Sequence, residues 1–274
     1  MTVLVGGVGQ LYQGDLDLGR LAAERLAGEA LGPDVLVEEL HYGAVAVAQR
    51  LEELRPRALV LVGAVARGRP AGAVERRRLS GLRLPPERVQ RAVADAVTGH
   101  VTLDLVVEVA AGLGALPARS AAVEVEPAGS GPAEDLTPPG RAALEVALGL
   151  VRAEVRRIPL LELGDRLRAR SQDAGLEPAP ALDTLNELLA ELARLEEHGR
   201  WGSAFALRDR LRRRIADGHT GFGMDHLDWG LWWALIEELD RLQPLEAAAW
   251  AGPARPAAPG SAGGPPPGSP WRSG

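Results

Sequence analysis

The amino-acid sequence predicts a three-layer α/β fold built on a mostly parallel sheet, followed by a C-terminal helical module. Residues 1–155 alternate short apolar runs with helical patterns, which is typical of βαβ units. Hydrophobic residues make up 46% of the 274-residue chain and aromatic residues only 4%, so Leu, Val and Ala must build the core. Such side chains suit parallel strands that are covered by helices.

Hydrophobic periodicity predicts the elements of this region in order. Apolar residues at helical spacing place a helix after each of the first two strands, and Pro56 ends the second helix. A fourth helix opens near His100, and a fifth begins at Pro138 with Thr137 as its N-cap and ends at Glu154. The predicted strands span residues 3–5, 35–40, 58–65, 73–77 (an edge strand) and 120–126, and the first three helices span 18–26, 44–54 and 86–97.

The pattern changes beyond the fifth helix. We expect an α/β domain over residues 1–157, a linker over 158–180, a helical module over 181–245 and a disordered tail over 246–274. Residues 217–228 contain two His and three Asp, which form either a metal site or a turn and the cap of the next helix. The Trp-bearing helix after them is either the core of the module or a partner surface.

Composition excludes several classes of function. The net charge of -6 gives no electrostatic footprint for nucleic acid, and no apolar stretch has the ~20 residues that a membrane span needs. The chain has no Cys, so a metal must be held by His and carboxylates. No basic region precedes the first apolar run, as it would in a signal peptide. We therefore expect a cytoplasmic protein that binds neither nucleic acid nor membrane.

Two aspartates, Asp15 and Asp17, follow the first predicted strand. Ligands of open α/β sheets bind outside the carboxyl ends of the strands, so both carboxylates are candidate site residues. Helix capping explains Asp15 equally well, because free N–H groups favour a carboxylate in the first turn. The turn Gly7-Val-Gly9 is compatible with dinucleotide binding, but Tyr12 stands where that motif needs a third small residue.

Several weak motifs in the first 155 residues agree in order and spacing with one family. They are Val3-Leu-Val-Gly-Gly-Val-Gly-Gln-Leu-Tyr-Gln-Gly-Asp15, Thr98-Gly-His100-Val-Thr-Leu-Asp, Val123-Glu-Val-Glu126-Pro127 and Leu136-Thr137-Pro138. Through them the sequence resembles the hydrogenase maturation protease family, endopeptidases that trim the C-terminal tail from nickel-iron hydrogenase large subunits. The resemblance covers a little over half of the chain and implies the phosphorylase-like three-layer fold of that family.

The resemblance implies a metal site that this chain keeps only in part. His100 matches the family's histidine, but Leu16 and Gly63 stand where the family has carboxylates. Asp15 and Asp17 are the remaining candidate ligands beside His100. His41, which follows the second strand, is a further candidate as a replacement ligand.

Two functions are compatible with these residues. The first is metal-linked endopeptidase cleavage of a hydrogenase large subunit, with nickel carried by the substrate. The second is a catalytically impaired factor, a pseudoenzyme that binds the large subunit without cleaving it, using the Trp-bearing helices as contact surface. The sequence leaves open whether the protein is an enzyme, and we assign no catalytic residue.

Overall fold

The structure is a computed structural model that describes residues 2–173, 190–194, 196–197, 209, 237 and 240. Its centre is a five-stranded sheet in the order β2-β1-β3-β5-β4, in which β4 is antiparallel and the other strands are parallel. The predicted class, α/β with a mostly parallel sheet, is confirmed. The strands are β1 (Val3–Val8), β2 (Val35–Glu39), β3 (Ala58–Ala64), β4 (Val74–Arg78) and β5 (Arg119–Val125).

Helices cover both faces of the sheet. The first and last helices share one apolar core with β1, β3 and β5, and the other helices form the second core on the opposite face. Three layers follow from this arrangement. The helices are α1 (Leu18–Ala27), α2 (Ala44–Leu54), α3 (Pro86–Ala96), α4 (Leu103–Gly112) and α5 (Pro138–Asp173), and a 3₁₀ turn over Gly14–Asp17 precedes α1.

Glycines let α1 pack directly on the backbone of β1. A Cβ atom on Gly19 would lie 2.0 Å from the carbonyl oxygen of Val8, and one on Gly7 would lie 2.1 Å from the carbonyl oxygen of Gly19. A Cβ atom on Gly9 would lie 2.8 Å from the amide nitrogen of Arg20. These glycines therefore serve close helix–strand packing, and the protein's own backbone fills the space beside them.

Two predicted helix boundaries are wrong. The fourth helix begins at Leu103, because the Thr102 side chain accepts a hydrogen bond from the amide of Leu105 and caps it there. His100 thus lies in the loop before the helix. The fifth helix begins at Pro138 as predicted but continues to Asp173, beyond Glu154, since its second half also buries apolar side chains. These are Val155, Ile158, Leu160, Leu161 and Leu163.

The helix extends into the predicted linker, and a short helical stretch beyond it contacts the α/β domain. Within residues 190–197 the Leu192 side chain is buried, and Arg76 on β4 donates hydrogen bonds to the carbonyl oxygens of Glu196 and Glu197. Most of residues 174–274, including the predicted module, the 217–228 segment, the Trp-bearing helix and the tail, lie outside the described residues. In the described part of the chain no helix has the length and hydropathy of a membrane span.

Candidate functional site

The loop after β1 and the loop before α4 meet at the end of the sheet where the four parallel strands finish, which we call the carboxyl edge. The Gln10 side-chain nitrogen lies 3.3 Å from His100 Nε2 and donates a hydrogen bond to the Val101 carbonyl oxygen at 3.2 Å. His100 is exposed. Gln10 therefore holds the 98–101 loop against the loop after β1 and lies directly beside the imidazole.

Asp15 anchors the other side of the same loop. It is 1% exposed, and its carboxylate accepts hydrogen bonds at 2.8 Å from the amides of Ala128 and Thr137 and from the Thr137 hydroxyl. That hydroxyl in turn accepts a hydrogen bond from the amide of Gly140 at the start of α5. Asp15 thus orients the N-cap of α5, and three protein donors occupy its two oxygens.

Asp17 is paired within its own helix turn. Both of its oxygens accept hydrogen bonds from the guanidinium of Arg20, at 2.6 to 3.0 Å. Asp17 is 4% exposed. The hydrogen bonds and the negative charge of Asp17 raise the pKa of Arg20 against the opposing effect of burial. The pair is a bidentate ion pair, the strongest geometry available to these two groups.

His41 follows β2 in an exposed loop. Its Nδ1 lies 3.6 Å from a carboxylate oxygen of Glu39, and its ring meets the ring of Tyr42 edge-on. The structure thus places His41 beside a carboxylate of its own strand.

Gly63, near the end of β3, has no room for the carboxylate that the family carries there. A Cβ atom on Gly63 would lie 2.7 Å from the carbonyl oxygen of Val8 and 3.1 Å from Leu103 Cδ1. Backbone atoms of the neighbouring strand cannot yield as a flexible side chain can. A longer residue at this position therefore requires β1 and β3 to move apart.

The candidate ligands Asp15, Asp17, His41 and His100 do not form a metal-binding group in the described structure. Throughout the residues that the structure describes, no three His, Asp or Glu side chains come together in a group that could hold a metal. Asp15 and Asp17 both face other protein donors, and His100 faces an amide. These side chains do not fit the ligand set that the resemblance implies.

A cluster of arginines and carboxylates lies where the loop after β3 meets β5 and β4, and sequence reasoning missed it. Glu124 on β5 is 2% exposed and accepts hydrogen bonds from Arg67 and Arg77, both of which also contact Asp104. Burial would raise the pKa of Glu124, but the two guanidiniums outweigh it and hold that pKa below its ordinary value. The cluster comprises Arg67, Arg69, Arg77, Asp104, Glu124 and Glu126.

Glu126 fixes the loop that carries Arg67. Its carboxylate accepts hydrogen bonds from the backbone amides of Arg67 and Gly68 and from the side chain of Arg69. These donors lower the pKa of Glu126 although burial opposes them. The only sequence signal of the cluster is the alternation of two Glu with Val in an otherwise apolar strand, Val123-Glu-Val-Glu126.

Exposed apolar side chains are close in the sequence to Gln10 and His100. Leu11 and Tyr12 are 55% and 62% exposed, and Val97, three residues before His100, is 84% exposed. Tyr12 has a φ of 61°, a left-handed backbone conformation that non-glycine residues rarely adopt. Its carbonyl oxygen accepts a hydrogen bond from the amide of Ala133, so the loop is held in this conformation with its apolar tip outward.

Solved structures of hydrogenase maturation endopeptidases align with about half of the chain. HybD from E. coli is 23% identical, and the alignment covers 57% of this chain and 93% of that one with a TM-score of 0.42. A hydrogenase 2 maturation peptidase from a Thaumarchaeota archaeon is 21% identical over 55% of this chain and 95% of that one, with a TM-score of 0.39. HycI from Thermococcus kodakarensis is 19% identical, and the alignment covers 56% of this chain and 92% of that one with a TM-score of 0.38.

These three proteins are maturation endopeptidases of hydrogenases, the family that the sequence motifs resemble. No protein-family model matches the chain, and the comparison with curated proteins finds no match.

Proposed function

We propose that this protein acts in the maturation of a nickel-iron hydrogenase by binding the large subunit at the carboxyl edge without cleaving it. The hydrogenase part of the proposal depends on the motifs around Asp15, His100 and Thr137, which resemble the maturation proteases in order and spacing. The non-catalytic part depends on how this chain uses its carboxylates.

The use of Asp15 carries the proposal. A metal ligand must face an open site, but Asp15 is 1% exposed and both of its oxygens face protein donors, accepting hydrogen bonds from Ala128 and Thr137. Releasing Asp15 would leave the half-buried amide of Thr137 and the amide of Ala128, an exposed residue, without their protein acceptor, at a cost of about 1 kcal/mol each. Asp17 is equally committed to Arg20, and Gly63 supplies no carboxylate.

The same edge is well suited to binding. Leu11 and Tyr12 form an apolar tip on a loop that hydrogen bonds hold on both sides, at Gln10 and at Ala133. A rigid aromatic anchor loses little conformational entropy on association, so such residues often dominate binding energy. His100 lies beside this tip with an exposed imidazole, which is a ligand that nickel in the large subunit could accept.

Endopeptidase cleavage is the second candidate, and the exposed contact of Gln10 with His100 favours it. The Gln10 amide and the His100 imidazole, 3.3 Å apart, could together position a nickel ion that the substrate carries. In that case the protein needs fewer ligands of its own.

Incubation of the purified full chain with a nickel-loaded large-subunit precursor distinguishes the two functions. We expect a stable complex on size-exclusion chromatography and no shortening of the precursor by mass spectrometry. Tyr12→Ala should weaken the complex, whereas Glu87→Ala, at an exposed position on α3, should leave it unchanged. Loss of the C-terminal tail from the precursor, abolished by His100→Ala, would establish the endopeptidase instead. Absence of both binding and cleavage would refute a role in hydrogenase maturation.

A further inference from the structure

The β2 strand forms an uncovered edge of the sheet. It lies at one end of the strand order and pairs only with β1. The amide of Val3 donates a hydrogen bond to the carbonyl oxygen of Asp34, and the amide of Leu40 donates one to the carbonyl oxygen of Gly7. The backbone N–H and C=O groups of the even-numbered residues along this strand therefore point toward β1. The N–H and C=O groups of Val37 and Glu39 therefore point away from the sheet. No loop or helix in the described part of the chain pairs with them.

The two edges of the sheet differ in how they are protected. The outer strand β4 carries four consecutive charged residues, from Glu75 to Arg78, and the stretch with Glu196 and Glu197 contacts it. Charged residues and covering elements are the usual protection of an edge against strand addition. By contrast, β2 begins Val35-Leu36-Val37 and contains no Pro, Gly or basic residue. Its first three residues are therefore suited to pairing with another strand.

The uncovered edge leads to the candidate binding site. β2 runs parallel to β1 and ends at the same carboxyl edge, followed by His41 and by Tyr42, which is 47% exposed. Neighbouring strands lie about 4.8 Å apart, so a strand added to β2 would lie about 10 Å from β1. A chain that leaves this strand at the carboxyl edge passes Tyr42 and reaches the Leu11–Tyr12 tip beside His100.

Charge indicates what kind of segment fits. Glu39 lies 3.6 Å from His41, and its charge also helps to raise the pKa of Arg20. Glu24 on α1 and Asp34 before β2 are 63% and 59% exposed, and Asp34 is 3.8 Å from its arginine partner. The arginines near β2 are already paired: Arg20 with Asp17 and Glu24, Arg50 with Glu38, and Arg57 with Asp34 and Glu162. Carboxylates therefore outnumber cations beside this strand, and the edge favours a positively charged segment.

We propose that the uncovered edge of β2 binds an extended, basic segment of the partner polypeptide by strand addition and directs it toward His100. Backbone hydrogen bonds to Val37 and Glu39 supply affinity, and the surrounding carboxylates select basic side chains. The inference rests on the proposed function, because it takes the partner polypeptide to be a hydrogenase large subunit.

Residue-resolved amide hydrogen exchange of the full chain, free and bound to the large-subunit precursor, tests the inference. The amides of Val37 and Glu39 should exchange roughly tenfold or more slowly in the complex, because each gains an acceptor. Val37→Pro should weaken binding about tenfold or more, since proline removes the outward donor without removing a bond to β1. Val37→Thr keeps that donor and should bind like the unsubstituted chain. Thermal unfolding of both variants verifies that the sheet is intact.

A second comparison tests the charge selection. Glu39→Gln should weaken the complex several-fold at low salt, and Glu87→Gln, which makes the same charge change on α3, should not. Equal effects of the two substitutions would contradict selection of a basic segment by this edge.

The outcomes separate this inference from the proposed function. A complex in which the Val37 and Glu39 amides stay unprotected, and which Val37→Pro leaves intact, overturns strand addition while the proposed function stands. Protection of the two amides in the free chain, together with dimers in sedimentation velocity, would assign the edge to a second copy and also overturn the inference. Failure of the precursor to bind at all overturns both.

Discussion

Replacing Asp15 by Asn distinguishes an anchoring carboxylate from a metal ligand. The substitution keeps the size of the side chain but leaves one carbonyl oxygen where the carboxylate had two. In one orientation the new NH₂ group faces the amide of Thr137, and in the other it faces the amide of Ala128. One backbone N–H group therefore loses its acceptor in either orientation.

The expected loss of stability follows from these bonds. Ala128 is exposed and Thr137 is half-buried, so an N–H that loses its acceptor there costs about 1 kcal/mol, the low end of the range for unpaired groups. The remaining hydrogen bonds also lose the charge that makes them roughly twice as strong as neutral ones, and together these effects predict a loss of about 1–3 kcal/mol in the free energy of unfolding. That is a large fraction of the roughly 5–15 kcal/mol by which domains are stable.

Urea denaturation in the presence of a chelator measures this loss without a metal contribution. Asp95→Asn is the matched control, because Asp95 is exposed on α3, and its effect should stay within about 0.5 kcal/mol. If Asp15→Asn unfolds like the unsubstituted chain in chelator and loses only a metal-dependent stabilisation, Asp15 is a ligand and the assigned anchoring role is wrong.

Two further predictions concern the carboxyl edge. Gly63→Asp, which restores the family's carboxylate, should destabilise the protein by about 1–3 kcal/mol through overpacking against the Val8 carbonyl and should create no metal binding in calorimetry. The Glu124 carboxylate has a pKa below its ordinary value of 4.5, so it stabilises the fold above that pH and its contribution is lost as the pH falls through the folded-state pKa. Glu124→Gln should therefore give a shallower decline of unfolding free energy below pH 4.5.

Controls make both experiments decisive. Gly129→Ala is the matched control for Gly63, because a Cβ atom on Gly129 meets nothing within 4 Å, and it should leave stability nearly unchanged. A Gly63→Asp protein as stable as this control would show that β1 and β3 separate easily. Parallel stability curves for Glu124→Gln and the unsubstituted chain below pH 4.5 would show that the carboxylate has the same pKa folded and unfolded.

Periodicity in the sequence predicted the sheet well, because strand and helix patterns are local. Four strands lie where apolar runs predicted them, β4 overlaps the predicted edge strand, and Thr137 caps α5 as its residue type and the following proline indicated. Helix ends were less predictable. The N-cap of α4 is Thr102, two residues after His100, where the helix was expected to open. The α5 helix continues past Glu154 because its later apolar residues pack against parts of the fold that are distant in the sequence.

The candidate site was predictable only as a location. Gln10 and His100 are 90 residues apart, and Asp15 and Thr137 are 122 apart, so their contacts depend on the fold as a whole. The sequence indicated Asp15 through its position after the first strand, and His100 through its predicted place at a helix start and its match to the family's histidine. It could not find that the Asp15 carboxylate turns back into the protein, nor that Arg67 neutralises the buried Glu124.

The length of α5 decides how this molecule can be dissected. At 36 residues it extends about 54 Å, at 1.5 Å per residue, and the composition boundary at residue 157 falls in its middle. A chain shortened there would lose Ile158, which packs in the same apolar core as Ala58 and Val60. Such a truncated protein should aggregate. Within the described residues α5 thus continues past the predicted boundary without ending, so residue 157 is not a position at which the chain can be cut.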